Sequence, residues 1–304
     1  MTLPFHCPIQ PQEHVFSWLN RIHLLFGHVK LKHTLDYLQI TFKPFKTCHH
    51  NAASLDTIKL YKREIANDTS GLDQHSTIPL WSLTYDSHYY LNSIRDNKAE
   101  LPSGYHAGYF AFQGNWKYCS HCVQEDISKY GHSFWHVKHQ IPGITHCYIH
   151  EQQLIEDNVR LRDLRKSLLP EVYTLAAKQL KDAAVLKEWS RFTVSVYEIV
   201  VNNPMAGENL ASQVRLLLNV PKETAYKDNE TFEPLQEQFD KDIPSCLLQF
   251  LFLSYRDGCK HQFKLLRSTL GRRQNTGYLI QHSHPICWLI ILFWLREKIN
   301  WMHL

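Results

Sequence analysis

The chain has 304 residues, of which 44% are hydrophobic and 20% charged, and carries a formal net charge of +4. That composition describes a globular protein and excludes a disordered one, and the length accommodates two compact units or three small ones. The mild positive charge permits contact with nucleic acid without demanding it. Eight cysteines are present, and an odd number of them falls outside the motif described below. This argues against a secreted disulfide scaffold and for a reducing compartment. The opening MTLPFHCPIQPQEH has no basic stretch followed by an apolar one, so no signal peptide is expected.

Val15, Leu19, Ile22 and Phe26 recur at helical spacing, Trp18 and Leu25 widen the stripe, and Gly27 ends it. Leu31, Leu35 and Leu38 mark a second short helix. Two short helices with a brief link look like a helix-turn-helix unit, although any helical hairpin has the same appearance. Residues 66–79 are polar and turn-rich and read as a loop. A further helix is expected over Ser87 to Asn97, ended by Pro102 and Gly104.

The most informative stretch follows, WKYCSHCVQEDISKYGHSFWHVKHQIPGITHCYIHEQQL. Cys119 and Cys122 form C-x-x-C, and Cys147 and His150 form C-x-x-H. Two intervening residues let a tight turn aim both side chains at one ion, and zinc takes thiolate and imidazole in a tetrahedron. Four protein ligands fill that sphere, so the expected site is structural rather than catalytic. The spacer is expected to hold a short helix and an extended piece whose Phe134, Trp135 and Val137 cover the metal. Lys117 and Lys138 flank the site and would soften its charge.

Beyond this segment, Val172, Ala176, Leu180, Ala183 and Leu186 follow helical spacing. Phe192 to Val201 is β-branched and fits either a strand or a buried helix. Residues 221–242, charged and carrying Pro221 and Pro234, read as a linker or surface excursion. The tail from 244 is helical and apolar, and Pro285 to Leu295 is too short to cross a bilayer, so a buried helix is expected and no membrane partner. From Arg256 to Lys298 there are eight Lys and Arg against two acidic residues. Lys260, Lys264, Arg267, Arg272 and Arg273 lie among Ser, Thr, Gln and Asn, a mixture suited to phosphate contacts. Enzyme motifs are missing. His150-Glu151 is not followed by a second histidine at 154, and there is no phosphate-binding glycine loop and no nucleophile elbow. A catalytic role is therefore not expected.

The run Trp116-Lys117-Tyr118-Cys119-Ser120-His121-Cys122, then Tyr130-Gly131, Phe134-Trp135, Pro142-Gly143, Cys147-Tyr148-Ile149-His150 and Leu154, resembles the zinc segment of the TniQ/TnsD family. The N-terminal Glu13, Ser17, Trp18, Leu19 and Arg21 and the tail pair His284-Pro285 are similar to other parts of the family. Lys117 stands where Arg is common and Ser120 where Pro is common. The resemblance implies a target-selection protein of Tn-seven-type transposons that neither cuts nor joins DNA. It would recruit a TnsC-like AAA+ regulator to target DNA, or act as an adaptor on a CRISPR Cascade-type guide-RNA complex. It also implies one structural Zn2+ on Cys119, Cys122, Cys147 and His150, and a bacterial, cytoplasmic location with nucleoid association on DNA.

The expected fold is mainly α. A helix-turn-helix-like N-terminal helical segment over 1–113 precedes a CCCH zinc module over 114–155 and a basic, nucleic-acid-facing helical domain over 156–304.

Overall fold

His14 sets the start of the first helix. Its backbone is extended and its Nδ1 accepts the Phe16 N–H at 3.1 Å, which satisfies one of the donors a helix leaves open at its N-terminus. The computed structural model describes residues 3–39, 72–84, 110–112, 115–160, 169–170, 182–203, 205–257, 264–271 and 284–301. It is mainly α-helical. Helix α1 spans Val15–Phe26 and stops at Gly27, which is left-handed at φ 64. Helix α2 spans Leu31–Tyr37. The expected helix over Ser87 to Asn97 lies outside the described residues, as does the first part of the expected helix from Val172. Within the expected 66–79 loop, Leu72–His75 forms a 3-10 turn, and a second turn runs over Ile78–Leu83.

Contacts divide the chain into two units, one of residues 1–78 with 113–181 and one of 79–112 with 182–304. In the first, strand β1 (Asn115–Tyr118) pairs antiparallel with β2 (Ile155–Arg160), and helix α3 (Ser120–Tyr130) follows β1 directly. Tyr118 faces Ile155 and Lys117 faces Glu156 across the ladder. The N-terminal stretch is stitched to this module: His14 N–H donates to the Trp135 carbonyl at 2.8 Å and Val137 N–H to the Gln12 carbonyl at 2.9 Å. Trp135 and Trp116, both fully buried, pack with ring centroids 5.1 Å apart and planes tilted by 37°.

Beneath α1 lies a buried ion pair. Glu13 Oε1 and Oε2 accept from Arg21 Nε and Nη2 at 2.8 and 2.7 Å, and Arg21 also donates to the Pro8 carbonyl. Gln10 N–H takes a further carboxylate lone pair. The two parallel N–H···O bonds give the pair a fixed geometry as well as attraction.

The second unit is built around an apolar helix. Helix α4 (Ala183–Asn202) absorbs the ambiguous β-branched stretch. It is followed by α5 (Ala206–Leu218), α6 (Asn229–Asp242), α7 (Ser245–Leu251), α8 (Leu265–Leu270) and α9 (Pro285–Trp294). Every residue of α9 from Pro285 to Phe293 is buried. Its Phe293 meets Trp189 of α4 edge-on at 5.6 Å. No helix among the described residues is long and apolar enough to cross a membrane. Gly207 of α5 passes so close to Ser82 that a Cβ there would stand 2.1 Å from the Ser82 hydroxyl oxygen.

The region expected to be a linker is in large part helix α6. Asp228 caps it by accepting the Thr231 N–H at 3.0 Å, and Phe232, Gln236 and Phe239 are buried at helical spacing. Pro234 lies in the second turn, where it removes one backbone bond without stopping the helix.

Removing one partner of the Glu13–Arg21 pair strands a buried charge. Glu13→Ala is expected to lower stability by about 3–5 kcal/mol, and the double replacement Glu13→Leu with Arg21→Met by much less. Urea unfolding of the three proteins checks this.

Burial, with His75 nearby as a second cause, holds the His14 imidazole down to about 3. The ordinary histidine value is about 6.5, so the unfolded chain binds the additional proton first as the pH falls. The stability supplied by neutral His14 is therefore lost progressively from about pH 6.5 toward 3, at about 1.4 kcal/mol per pH unit. His14→Asn keeps a capping acceptor. Its unfolding free energy against pH should be shallower than that of the unaltered chain by about one proton, read from urea midpoints across this window.

Candidate metal centre

Backbone pairing brings the two half-motifs together. Strand β1 ends at Tyr118, so Cys119 sits at its exit and caps α3, and Cys122 lies in that helix's first turn. The second half is a tight hairpin. His146 pairs with Gln153, Cys147 N–H donates to the Gln152 carbonyl at 2.8 Å, and Glu151 N–H donates back to the Cys147 carbonyl at 2.9 Å. Glu151 adopts φ 55, the left-handed turn that reverses the chain after His150. The His150 N–H points at Cys147 Sγ, 3.4 Å away. Strand β2 then leaves beside β1, which closes the loop.

The ligand atoms of Cys119, Cys122, Cys147 and His150 all lie within 4.8 Å of one another, and the cluster could hold one metal ion. Cys122 and Cys147 sulfurs are 3.7 Å apart, and His150 Nδ1 lies 3.5, 3.4 and 3.7 Å from the sulfurs of Cys119, Cys122 and Cys147. A tetrahedral ion with sulfur legs of about 2.3 Å requires edges of about 3.8 Å, so the donor set fits.

Protonation fits as well. Hydrogen bonds from Cys122 and then Cys147 pull the Cys119 thiol far below its ordinary value. Contact with Cys119 first, then Cys147, drives the Cys122 thiol far up, and contact with Cys119 first pushes Cys147 up to about 11. A divalent cation replaces the retained protons and makes the crowding attractive. All four donors come from the protein, which leaves no coordination position for water or substrate.

His150 presents Nδ1 to the sulfurs, so its Nε2 carries the hydrogen, and Glu125 Oε1 accepts it at 3.1 Å. Burial tends to lower this imidazole, but Glu125 and Cys119 outweigh that and hold it above its ordinary value. Glu125 is therefore placed to fix the tautomer and ring orientation of His150, a role sequence reasoning missed. The available signal was spacing: Glu125 stands three residues beyond Cys122, on the same face of α3.

The two flanking lysines each have a partner of their own. Lys117 is buried and donates its Nζ to the Ile144 carbonyl at 2.8 Å, and burial brings its ammonium down to about 8, Glu156 acting the other way. Lys138 lies over the Tyr148 ring, 4.4 Å from its centroid. Phe134, Trp135 and Val137, the residues expected to cover the metal, are all buried.

Of the basic residues singled out in the tail, Lys260, Arg272 and Arg273 lie outside the described residues. Lys264 and Arg267 lie side by side on Glu233. Lys264 Nζ pairs with its carboxylate, and Arg267 Nη2 reaches it at 2.9 Å and Asn229 at 2.6 Å.

Residues 4–154 match the model of the TniQ family. The chain belongs to the TniQ family. The matched span contains all four donors and ends at Leu154, where the hairpin re-enters β2. No curated protein matches the chain. TniQ family proteins are non-catalytic participants in transposition, with partners such as TnsC and DNA, and the TniQ domain implies a target-selection or adaptor role.

Chelation at neutral pH is expected to release one equivalent of metal from this TniQ domain and lower its unfolding midpoint. Glu125→Ala should weaken metal affinity about 10-fold while leaving the stoichiometry at one. Elemental analysis and competition against a chromophoric chelator read both outcomes.

Proposed function

We propose that this chain is a non-catalytic target-selection protein for DNA transposition. It bridges target DNA, or a DNA-bound guide-RNA complex, to a TnsC-like AAA+ regulator. The observation that carries the reading is the TniQ match over residues 4–154, which encloses a cluster of four protein donors. The ion is Zn2+, the metal whose preference for mixed thiolate and imidazole donors in a tetrahedron suits these residues best. It joins two chain segments into a rigid platform.

In this reading the chain has three functional parts. The helical segment 1–113, with its helix-turn-helix-like pair, and the zinc module 114–155 form the regulator-facing or structural part. The basic region 156–304 meets nucleic acid through Lys260, Lys264, Arg267, Arg272 and Arg273. The protein works in the bacterial cytoplasm and joins the nucleoid when bound to DNA. The TnsD-like wording of the zinc segment supports direct DNA reading.

One observation favours a second mode. Lys264 and Arg267 share the Glu233 carboxylate, which reduces the positive charge they offer to phosphates. An adaptor riding on a CRISPR Cascade-type complex needs no DNA affinity of its own, and this arrangement suits it.

A gel shift of the purified chain on its insertion site, with and without a neighbouring guide complex, tests the two modes. Direct reading predicts a shift on naked DNA whose log affinity falls linearly with log salt. Charge reversal at Arg272 and Arg273 should flatten that slope by about two phosphate contacts. An unchanged slope in that variant removes the tail assignment. Co-purification with the guide complex and no shift on naked DNA establishes the adaptor mode. Failure to bind the AAA+ regulator under either condition overturns the bridging reading.

A further inference from the structure

Several histidines pack inside the metal-bearing unit, and one of them faces a metal ligand without belonging to the four donors. His139 lies on the one-turn 3-10 segment Lys138–Gln140 and is fully buried. Its Nε2 stands 4.0 Å from Cys122 Sγ, while its Nδ1 has no hydrogen-bond partner. A neutral imidazole carries a single N–H. On Nδ1 that hydrogen would be a buried donor with nothing to meet, which forfeits the full desolvation cost of the group. On Nε2 it points at a sulfur that, as a ligand, is a thiolate and can only accept.

We propose that His139 is a positioning residue of the metal centre, donating its Nε2–H to the Cys122 thiolate from outside the ligand set. The proposal rests on the reading that the cluster holds a metal ion.

The surroundings of His139 support it from two sides. The His136 ring stacks on the His139 ring at 5.0 Å and 27°. His136 is itself held by Asp126, whose Oδ2 lies 2.8 Å from His136 Nε2, both side chains being buried. Gln140 fixes the backbone of the same turn. Its Nε2 donates to the Lys117 and His136 carbonyls at 2.8 and 3.0 Å, and its Oε1 accepts the Lys117 N–H at 3.0 Å. The imidazole is therefore clamped between a braced ring and a turn tied to β1.

Helix α3 organises the whole arrangement. It supplies Cys122 as a ligand, Glu125 to orient the ligand His150, and Asp126, one turn beyond Cys122, to brace the ring behind His139. The chemistry has a purpose. Three thiolates and a neutral imidazole around a divalent ion leave a net charge of about minus one. Cys122 is 1% exposed, so water cannot solvate its share of that charge. A donor aimed at the sulfur supplies what solvent cannot.

Cobalt(II) substitution tests this, because the thiolate-to-cobalt charge-transfer band reports the energy of the sulfur lone pairs. His139→Phe keeps a planar aromatic ring and loses the donor. It should still bind one equivalent of cobalt. Its charge-transfer band should move to lower energy, and zinc affinity in chelator competition should fall about 10-fold or more. His139→Gln, which retains an N–H, should return both toward the unaltered protein. A His139→Phe protein with unchanged band and affinity overturns the proposal. Where that variant does not fold, a long-range 1H–15N spectrum of the zinc-loaded unaltered protein decides. Hydrogen on Nε2 of His139 is the expected result, and hydrogen on Nδ1 overturns it. If the unaltered protein takes up no cobalt, the metal reading fails and this proposal with it. Uptake with an indifferent His139→Phe removes this proposal alone.

Discussion

Three sulfur atoms and one imidazole nitrogen converge within 4.8 Å, a set of donors that could hold one metal ion. Thiolates at such separations repel one another strongly when buried, and only a shared cation turns the crowding into an attraction. The donors arrive from both ends of the segment Cys119 to His150. The β1/β2 ladder closes that segment at its base, α3 aims Cys122, and the tight hairpin at Cys147 aims His150. Trp116 and Trp135 pack on one another in the buried interior of this unit, and the Trp135 carbonyl accepts the His14 N–H of the N-terminal stretch.

The same unit uses buried polar groups where an apolar interior would have been simpler. Glu13 and Arg21 satisfy one another and two backbone groups, Lys117 ends on a carbonyl, and Gln140 spans two carbonyls and an N–H. Directional bonds of this kind permit one register between the N-terminal stretch, β1 and the 138–140 turn. Dispersion contacts alone would tolerate several. A platform whose task is to present fixed surfaces to partners gains from that uniqueness more than from raw stability. The mechanism proposed for the chain is of this kind, since it involves assembly and no bond making or breaking.

The second unit is organised differently. Helix α9 is apolar on all sides and buried from Pro285 to Phe293, and aromatic contacts such as Phe293 on Trp189 and Phe239 on Trp294 pack the surrounding helices against it. Part of the positive charge in this unit is met by a carboxylate. Glu233 of α6 receives both Lys264 and Arg267. A count of positive residues along the tail therefore overstates the field available to a partner, because the balancing carboxylate comes from a helix some thirty residues earlier in the chain.

Much of the fold and the donor set was legible in the residues themselves. Periodicity located α1 and α2, Gly27 marked the end of the first, and the uniform apolarity of Pro285 to Leu295 identified a buried helix. The C-x-x-C and C-x-x-H spacings named all four donors, because short-range turn geometry is encoded in short-range sequence. Two local readings went astray or stayed open for want of context. The acidic content of 221–242 hid the buried face formed by Phe232, Gln236 and Phe239, and β-branching left Phe192 to Val201 undecided until α4 packed. Tertiary structure alone decided what stands behind the donors: Glu125 on His150, His139 facing Cys122, Lys117 turned onto a carbonyl, and Lys264 with Arg267 on Glu233. Spacing along a chain can aim two side chains at one point. Which polar group meets a third depends on where other segments cross, and that is settled only when burial forces each donor and acceptor to find a partner.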